Sequence, residues 1–444
     1  MPYETMLSGW GNYPRVACSV SRPDRLGTVG ALRRSQADAI WIARGLGRSY
    51  GDPATNRAKH VMDMTGLNRL IDFDPQEGVV TVEAGVSYAD LVEVLLPRGF
   101  FPMVTPGTKF VTIGGAIAAD VHGKNHHIDG SFNRCVESFI LLTPTGQTLL
   151  CSREENSHIF WATLGGMGLT GFILTATIRL RRVSSALMDV ITTRVENLDQ
   201  MLEHFAKTDA DSLYSVAWID CLARGKRLGR GVVLQGDHAE GAGPIGIPRK
   251  RSKAVPFDFP GFALNPLSVR AFNAVYYRAH PSGRSREDVN TYFYPLDAVQ
   301  HWNRIYGKRG FVQYQPVFPE ADGADGIRAL IERLVSARSS SFLAVLKQMG
   351  GHEAGPLGFS MKGLTLAVDL PRTSGIAALL SELDRVVLDH GGRVYLAKDG
   401  SMSAATFSQM YPRLEEFQRV RQGLDPHGLL GSDQSRRLGI TEQA

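Results

Sequence analysis

Length, composition and charge narrow the class of protein before any motif is considered. The 444 residues are 43% hydrophobic, enough for two domains with buried cores, and the net charge of +5 is too small and too scattered to indicate nucleic-acid binding. The four cysteines lie far apart and form no C-x-x-C pair, so we expect neither a disulfide framework nor a metal site.

The N-terminal residues MPYETMLSGWGNYP lack the basic head and apolar run of a signal peptide. No uncharged apolar stretch approaches the roughly 18 residues that a bilayer-spanning helix needs. We therefore expect a protein of the cytoplasm or of the membrane periphery.

The first 180 residues alternate between predicted helices and strands. The helices are expected at 23–35, where Leu26, Val29 and Leu32 share one face, and at 88–96, ending before Pro97. The strands are expected at 39–42, 78–85, 139–142, 148–151 and 174–180. This alternation continues to about Arg182.

The first glycine loop, Arg44–Asp52 (RGLGRSYGD), follows the β-prone run AIWI. A tight glycine loop after a strand presents successive N–H groups that can hold a pyrophosphate. The loop is not the G-x-G-x-x-G dinucleotide fingerprint, because no third glycine opens a helix.

The second glycine-rich stretch, residues 101–130, contains five glycines and two prolines. Side chains that can donate hydrogen bonds lie among them, and they are Thr105, Thr108, Thr112, His122, Lys124 and Asn125. A groove of bare backbone with a polar end suits a large anionic cofactor. The alternative is a glycine-rich turn region of a β-domain.

The third loop, GGMGLTGFI at 165–173, runs into the strand-like segment 174–180. Alone it is equally typical of a tight turn between strands. Three such loops in this order and at these separations favour a cofactor site.

The second half of the chain has a different order of predicted strands and helices. A strand, a helix and a strand are expected between Asp189 and Asp220, then strands at 310–317 and 364–370 and helices at 325–337 and 374–390. Between them runs a stretch rich in proline, glycine and basic residues, from about Glu240 to Arg286. Its cations at 248–253, followed by Phe257, Phe259, Phe262 and Leu264, suit peripheral contact with a membrane, or a solvated loop whose aromatic side chains fold back.

Six segments carry a resemblance to a known family, and they are RGLGRSYGD, VTPGTKFVTIGGAIAADVHGKNHH, FWATLGGMGLTGFI, VQYQPVFP, GGRVYLAKD and DPHGLLGSDQSRRL. Together they resemble the flavoproteins of the vanillyl-alcohol-oxidase type and, among these, the decaprenylphosphoryl-β-D-ribose 2-oxidases. HGKNHH and YLAKD are the specific pieces, whereas the glycine loops belong to the wider superfamily.

The resemblance implies an α+β fold. It has a two-subdomain FAD-binding domain of the PCMH/VAO type and a substrate domain built on an antiparallel sheet with flanking helices. We place the FAD-binding domain at 1–183, the substrate domain at 184–393, and a C-terminal segment that returns to the FAD domain at 394–444.

The resemblance also implies which residues hold FAD. They are Arg44, Gly45, Leu46, Gly47, Arg48, Ser49, Tyr50, Thr105, Gly107, Thr108, Thr112, Gly114, Gly115, Ala118, Asp120, Gly123, Lys124, Asn125, Gly168, Thr170, Ile173 and Tyr395. Many relatives carry a flavin-linked histidine where this chain has Arg48, so noncovalent FAD is expected. A surface ion pair is the alternative role of Arg48.

Catalysis is assigned to Lys398 and Tyr395 by resemblance, and to His122 because an imidazole titrates near neutral pH and this one lies in the second glycine-rich stretch. A structural role is the alternative for His122. Lys398 is expected to face the flavin and the substrate, and His122 to position or accept the sugar hydroxyl proton. Tyr395 is expected to contact the flavin ring. The expected substrate-binding residues are Gln313, Gln315, Lys347, Trp218 and Thr365.

The implied reaction is FAD-dependent oxidation of the 2-hydroxyl of polyprenylphosphoryl-β-D-ribofuranose to a keto sugar, the first half of epimerisation to the arabinose form in cell-wall arabinan biosynthesis. A short-chain reductase would complete epimerisation, and a quinone or oxygen would accept the electrons. Departures such as Thr365, Ala367 and Leu370 keep open a sugar, aldonolactone or alditol oxidase. The remaining alternative is a non-catalytic flavin-binding scaffold.

Overall fold

A computed structural model describes residues 2–241, 246, 253–261, 264–338 and 341–442. The strands of the N-terminal part are β1 (Tyr3–Ser8), β2 (Arg15–Ser21), β3 (Trp41–Arg44), β4 (His60–Asp63), β5 (Leu70–Asp74), β6 (Val79–Glu83), β7 (Phe100–Pro102), β8 (Val136–Leu142), β9 (Thr148–Ser152) and β10 (Phe172–Arg182). Its helices are α1 (Leu26–Ser35), α2 (Tyr88–Leu95), α3 (Ile113–Ala119), α4 (His126–Asp129) and α5 (Ser157–Thr163).

These strands form two sheets. One has the order β1–β2–β4–β3, in which β4 runs parallel to β2 and β3. The other has the antiparallel order β5–β6–β10–β8–β9, with β7 paired to the end of β10. Apolar side chains at alternate positions of β10 are buried, as expected for a central strand.

Local chemistry explains where the helices start. Ser87 and Asp90 form a reciprocal capping box at the start of α2, and Thr112 caps α3 through the amide of Gly115. The first predicted helix begins at Leu26 rather than at Pro23, because Arg25 at its N-cap keeps an extended conformation.

The strands of the second part are β11 (Leu187–Val195), β12 (Tyr214–Ile219), β13 (Gly231–His238), β14 (Lys253–Ala254), β15 (Gly283–Asp288), β16 (Val299–Gln300), β17 (Phe311–Tyr314), β18 (Pro316–Pro319), β19 (Ala344–Met349), β20 (Gly363–Pro371) and β21 (Arg393–Val394). The remaining helices are α6 (Leu198–Thr208), α7 (Pro266–Ala279), α8 (Val289–Phe293), α9 (Gly323–Ser336), α10 (Ile376–Asp389), α11 (Ala404–Met410), α12 (Leu414–Leu424) and α13 (Asp433–Arg437).

The sheet of the second part has the order β15–β11–β13–β12–β19–β20–β18–β21, and β17 also pairs with β20. Its neighbouring strands pair antiparallel throughout the described residues. Helices α9 and α10 pack against each other beside this sheet. The architecture is α+β with an antiparallel second sheet, as the sequence predicted.

Two details differ from the predicted elements. The single strand expected at 310–317 is divided into β17 and β18, with Gln315 between them. Helix α7 was missed within the proline-rich stretch, although Asn265 and Pro266 are a typical N-cap and first residue of a helix. Of the aromatic stretch proposed for membrane contact, residues 248–252 and Phe262 lie outside the described residues.

The C-terminal segment packs on the N-terminal sheets. The amide of Trp41 donates to Leu429 O at 2.8 Å, and the amide of Tyr50 donates to Ala397 O at 2.9 Å. We propose the domain boundaries near residues 183 and 393 on this basis. Among the described residues, no helix combines the length and the apolar character that crossing a membrane requires.

Candidate active site

A cavity of about 670 Å³ lies where the glycine loops of the N-terminal part meet the antiparallel sheet of the second part. Its size is within the range of small-molecule and cofactor sites. All three glycine loops contribute to its wall, together with residues of β12, β19 and the segment after β21. The three motifs that the sequence singled out are therefore brought together in one place.

The loop after β3 presents bare backbone to this cavity. Within the described part of the chain, the N–H groups of Leu46, Gly47, Arg48 and Ser49 donate no hydrogen bond to the protein. Gly47 has a φ of 64°, in the left-handed region that a turn of this kind needs. Successive free N–H groups around such a turn form a concave site for anions, which fits a diphosphate.

Small residues line the cavity opposite this loop, along α3. A Cβ at Gly45 would lie 2.2 Å from Thr112 Oγ1, and one at Gly114 would lie 2.9 Å from the Cβ of Ala84. Side chains are therefore excluded where the first loop meets α3. Glycine at these two positions lets α3 pack closely on the first loop and on Ala84.

The cavity carries more positive than negative charge. Five arginines and lysines line it, and they are Arg44, Arg48, Lys124, Lys347 and Lys398. Among the described residues that line the cavity, Asp297 is the single aspartate or glutamate. Such a balance favours an anionic ligand, because buried charges require partners of opposite sign.

Arg48 and Arg44 differ in what they contact. The guanidinium of Arg48 lies 3.8 Å from the centre of the Trp10 ring, so it is held inside the cavity wall and is not in a surface ion pair. Arg44 donates to Ser8 O at 2.7 Å and to Ala54 O at 3.0 Å. Arg44 thereby anchors the glycine loop to the neighbouring backbone.

Asp297 links the segment 295–302 to the second glycine stretch. Its carboxylate accepts hydrogen bonds from Thr108 Oγ1 at 2.7 Å and from the amide of Lys109 at 2.9 Å. This segment was not predicted from the sequence, because it has no glycine loop or other cofactor signal. Leu296, Val299 and Trp302 also line the cavity.

Lys398 and Lys347 lie at the polar end of the cavity. Burial lowers the pKa of Lys398 to about 7 and that of Lys347 to about 8. Lys398 Nζ lies 4.0 Å from the centre of the Tyr50 ring. A lysine with such a pKa exists partly as the neutral amine near pH 7, so it can accept a proton.

Behind Lys398 lies Asp369, which is fully buried. It accepts hydrogen bonds from Gln313 Nε2 at 2.5 Å and from Tyr306 Oη at 3.3 Å. Burial raises the pKa of Asp369 to about 7. When Asp369 is ionised, its negative charge raises the pKa of Lys398 and so offsets part of the lowering by burial.

His122 is buried beside Gln315. Gln315 Nε2 lies 2.8 Å from His122 Nε2, so the amide donates and the neutral imidazole carries its proton on Nδ1. Burial, followed by the charge of Lys347, holds the pKa of His122 well below its usual value. In this arrangement His122 is a neutral group oriented by Gln315, with no free lone pair to act as a base.

Tyr395 lines the cavity with its ring. Its hydroxyl donates to Ala119 O at 2.7 Å, and its ring centre lies 5.1 Å from that of His122. The phenol therefore joins α3 to the segment after β21, and its ring supports His122.

Most of the predicted residues line this cavity. They are Arg44, Gly45, Leu46, Gly47, Arg48, Ser49, Tyr50, Thr105, Gly107, Thr108, Thr112, Gly114, Gly115, Ala118, His122, Gly123, Lys124, Gly168, Ile173, Trp218, Gln313, Gln315, Lys347, Tyr395 and Lys398. Gln313 and Gln315 face it together, as expected from their alternate positions along the chain.

Four predicted residues do not line the cavity, because their side chains bond elsewhere. Asp120 accepts from Ser131 Oγ at 2.8 Å and from Asn133, and Asn125 donates to Met103 O at 2.8 Å. These two side chains brace the turn that follows α3.

The other two are Thr170 and Thr365. Thr170 shares a hydrogen bond with Thr163 at 2.9 Å, and Thr365 donates to Pro316 O at 2.7 Å. Thr365 also accepts a hydrogen bond from Gln315 Nε2 at 3.3 Å, and through this bond it helps to position the Gln315 amide that lines the cavity.

Several lining residues gave no signal in the sequence. Besides Asp297 and its neighbours, the wall includes Trp10, Phe110, Tyr276, Phe293 and Leu343. Scattered aromatic and aliphatic side chains look the same in sequence whether they line a cavity or fill a core.

Comparisons with known proteins agree with this geometry. Residues 31–152 match the model of an FAD-binding domain, and residues 368–438 match that of D-arabinono-1,4-lactone oxidase. The chain is 38% identical to the decaprenylphosphoryl-β-D-ribose oxidase of Mycolicibacterium smegmatis, over 98% of this chain and 97% of that protein. It is 24% identical to L-gulono-1,4-lactone dehydrogenase of Mycobacterium tuberculosis over 97% of this chain and 98% of that protein.

Proposed function

The chain belongs to the decaprenylphosphoryl-β-D-ribose oxidase family of FAD-dependent oxidoreductases, and on that premise we propose that it oxidises the 2-hydroxyl of a polyprenylphosphoryl-β-D-ribofuranose to the 2-keto sugar. The observation that carries this proposal is the polar end of the cavity. There two lysines and two glutamine amides stand together beside the glycine loops.

We assign the binding of FAD to the free N–H groups of residues 46–49 and to the small residues of α3. The cofactor supplies the hydride acceptor for oxidation of the alcohol. Arg48 would add positive charge near the diphosphate. A histidine is absent at this position of the sequence, and an arginine cannot form the corresponding bond to the flavin, so we propose that FAD is held without a covalent link.

We propose that the neutral amine of Lys398 accepts the proton of the 2-hydroxyl. Its lowered pKa of about 7 is matched to a base that works near neutral pH. This differs from the expectation that His122 accepts the proton, since His122 Nε2 already accepts from Gln315. We propose that His122 and Gln315 orient the sugar.

Lys347 and Trp218 are proposed to contact the remainder of the substrate. Lys347 brings a second cation to the same end of the cavity, where it would attract the phosphate. Trp218 is held by a hydrogen bond from its indole N–H to Phe342 O at 3.0 Å, so its ring forms a fixed apolar wall. A phosphate beside an apolar wall is what a polyprenyl phosphate requires.

The proposed product is a keto sugar that must be reduced on the other face to give the arabinose epimer. A reductase of the short-chain type would supply that hydride and complete an epimerisation that serves cell-wall arabinan. The reduced enzyme would pass its electrons to a quinone or to oxygen.

A second candidate is the oxidation of a sugar lactone or alditol. The match of residues 368–438 to the D-arabinono-1,4-lactone oxidase model favours it, because this region includes Lys398 and Tyr395. The fold and the cofactor would be the same, and the substrate would lack a lipid and a phosphate.

The two candidates are separated by following the flavin absorbance without oxygen. Titration with a short-chain polyprenylphosphoryl ribose should bleach the oxidised flavin band, and a quinone should restore it. Bleaching by an aldonolactone or alditol, but not by the polyprenylphosphoryl ribose, would overturn the first candidate in favour of the second. Free ribose serves as the control for the requirement for a phosphate and a lipid.

A further inference from the structure

Helix α7 and the segment before it carry the most exposed large hydrophobic side chains of the described part of the chain. Leu267 is 76% exposed, Val275 66% and Phe257 62%. Phe272, also on α7, is 45% exposed. Apolar side chains concentrated in this way on a protein surface indicate a contact with an apolar partner.

The opposite face of α7 is firmly attached to the protein. Val269 is buried, and the buried Asn273 donates to Asp220 Oδ1 at 2.7 Å. The ring of Tyr276 lies 4.6 Å from that of Trp218. The inner face of the helix is therefore fixed to the protein, while Leu267 and Val275 remain exposed on the outside.

The same helix forms part of the cavity wall. Tyr276 and Trp218 both line the cavity, whereas Leu267 and Val275 on α7 face outward. Phe272 contacts Phe342, with ring centres 5.6 Å apart, and the backbone of Phe342 holds the Trp218 indole. The exposed apolar face is thus continuous with the apolar wall of the substrate cavity.

The charge around this face is positive. Both arginines of α7, Arg270 and Arg278, are exposed, and the sequence of the helix contains no aspartate or glutamate. Positive charge beside exposed apolar side chains is the pattern of helices that lie in the surface of an anionic bilayer.

We propose that the outer face of α7, defined by Leu267, Ala271, Phe272 and Val275, docks on an anionic lipid surface and brings the cavity to the boundary between lipid and water. The choice of a lipid as the occupant rests on the proposed function. A polyprenyl substrate keeps its chain in the membrane while its sugar reaches the cavity, and the wall shared with α7 leads from one to the other.

The test is flotation of the FAD-loaded protein with vesicles of equimolar phosphatidylglycerol and phosphatidylcholine. The wild type should float with these vesicles, and less with vesicles of phosphatidylcholine alone. The double variant Leu267→Glu, Val275→Glu should bind the anionic vesicles at least about tenfold more weakly, because it places two carboxylates in the apolar contact. Ile71→Glu, at a side chain 52% exposed on β5, is the matched control and should float like the wild type.

Flavin bleaching with a water-soluble short-chain substrate separates this proposal from the proposed function. The double variant should be bleached at the rate of the wild type, since neither position lines the cavity. Loss of vesicle binding with normal bleaching supports the docking surface. If the polyprenylphosphoryl ribose bleaches neither protein while vesicle binding still depends on α7, the substrate assignment fails and the docking surface stands.

Two results would overturn the docking surface. One is a failure of the double substitution to matter, either because the wild type does not bind anionic vesicles or because the double variant binds them equally well. The other is a dimer in solution that the double variant converts to a monomer without any vesicle binding, which would make a second copy of the chain the occupant. Thermal unfolding and flavin content would show that the variant is folded.

Discussion

Gln313 donates a hydrogen bond of 2.5 Å to the fully buried carboxyl group of Asp369, behind the cavity wall that carries Lys398. Asp369 and Lys398 both have a pKa of about 7, which burial raises for the acid and lowers for the base. The two groups therefore change charge over the same pH range, and each favours the charged form of the other.

Asp369→Asn should change how the rate of flavin bleaching depends on pH. An ionised Asp369 raises the pKa of Lys398, so removing its charge lowers that pKa and increases the fraction of neutral amine near pH 7. Well below pH 7 Asp369 is protonated, and the variant should match the wild type. The variant should thus reach its maximal rate at lower pH, measured by anaerobic stopped-flow absorbance.

Tyr306→Phe is the control for that experiment. It removes the hydrogen bond of 3.3 Å, which favours the ionised form of Asp369, but leaves the carboxyl group in place, so the pH profile should move less than that of Asp369→Asn. A profile of Asp369→Asn that moves to higher pH, or stays in place, would contradict the coupling of the two groups.

Lys398→Met should slow flavin bleaching by about 10²- to 10⁴-fold, the usual contribution of a positioned base. Lys398→Arg separates two roles, because arginine keeps the positive charge but cannot become neutral at ordinary pH. If Lys398 accepts the hydroxyl proton, both variants are slow. A nearly normal rate for Lys398→Arg would show that the charge alone matters, and the flavin absorbance of each variant checks that FAD is bound.

The sequence predicted the parts of the site whose chemistry is local. Glycine loops such as Gly45–Ser49 are recognisable because a turn that exposes backbone N–H groups needs particular residues at particular positions. Gln313 and Gln315 could be placed on one face by simple alternation. The predicted helices and strands of the N-terminal part correspond to those of the structure within a few residues.

Other features depend on contacts between distant segments and could not be predicted in this way. Asp297 reaches the cavity only because its carboxylate binds Thr108 and Lys109, almost 190 residues earlier in the chain. Asp120 was assigned to the cofactor from its position in the loop, yet it bonds to Ser131 and Asn133. The direction of such a side chain is set by tertiary packing, which local sequence does not determine.

Thiol-directed inhibitors should not bond covalently within the cavity. All four cysteines are described, all are buried and free, and none lines the cavity. Ala367 lines it and carries no thiol. Mass spectrometry should therefore find no adduct in the peptide that holds Ala367, whereas Ala367→Cys should acquire one. An adduct on the wild-type peptide would contradict the prediction.

The flavin should be released when the protein is denatured. Arg48 stacks on Trp10 and offers no atom for a bond to the flavin, so acid precipitation should leave a colourless pellet and free FAD in solution. Arg48→Ala should also weaken FAD binding about tenfold, the order of effect of one charge-assisted hydrogen bond. A yellow pellet would show a covalent link elsewhere in the chain.

Arg437→Met should destabilise the protein more than a surface substitution does. The Arg437 guanidinium bonds to Asp52 at 2.6 Å and to Asp399 at 2.9 Å, and the side chains of the two aspartates are 6% and 3% exposed. It therefore joins the C-terminal helix α13 to the first glycine loop and to the segment of Lys398. Removing one partner from such a buried group costs about 3–5 kcal/mol, because the remaining charges lack a counter-ion.

Urea unfolding of the FAD-free protein would measure that loss without a contribution from the cofactor. Arg413→Met, which removes a bidentate pair with Glu416 on the exposed surface of α12, is the matched control. Its loss should be at most about 1 kcal/mol, because solvent screens an exposed pair. Equal losses for the two variants would mean that the buried cluster does not hold the C-terminal segment in place, and that the packing of its apolar side chains does so instead.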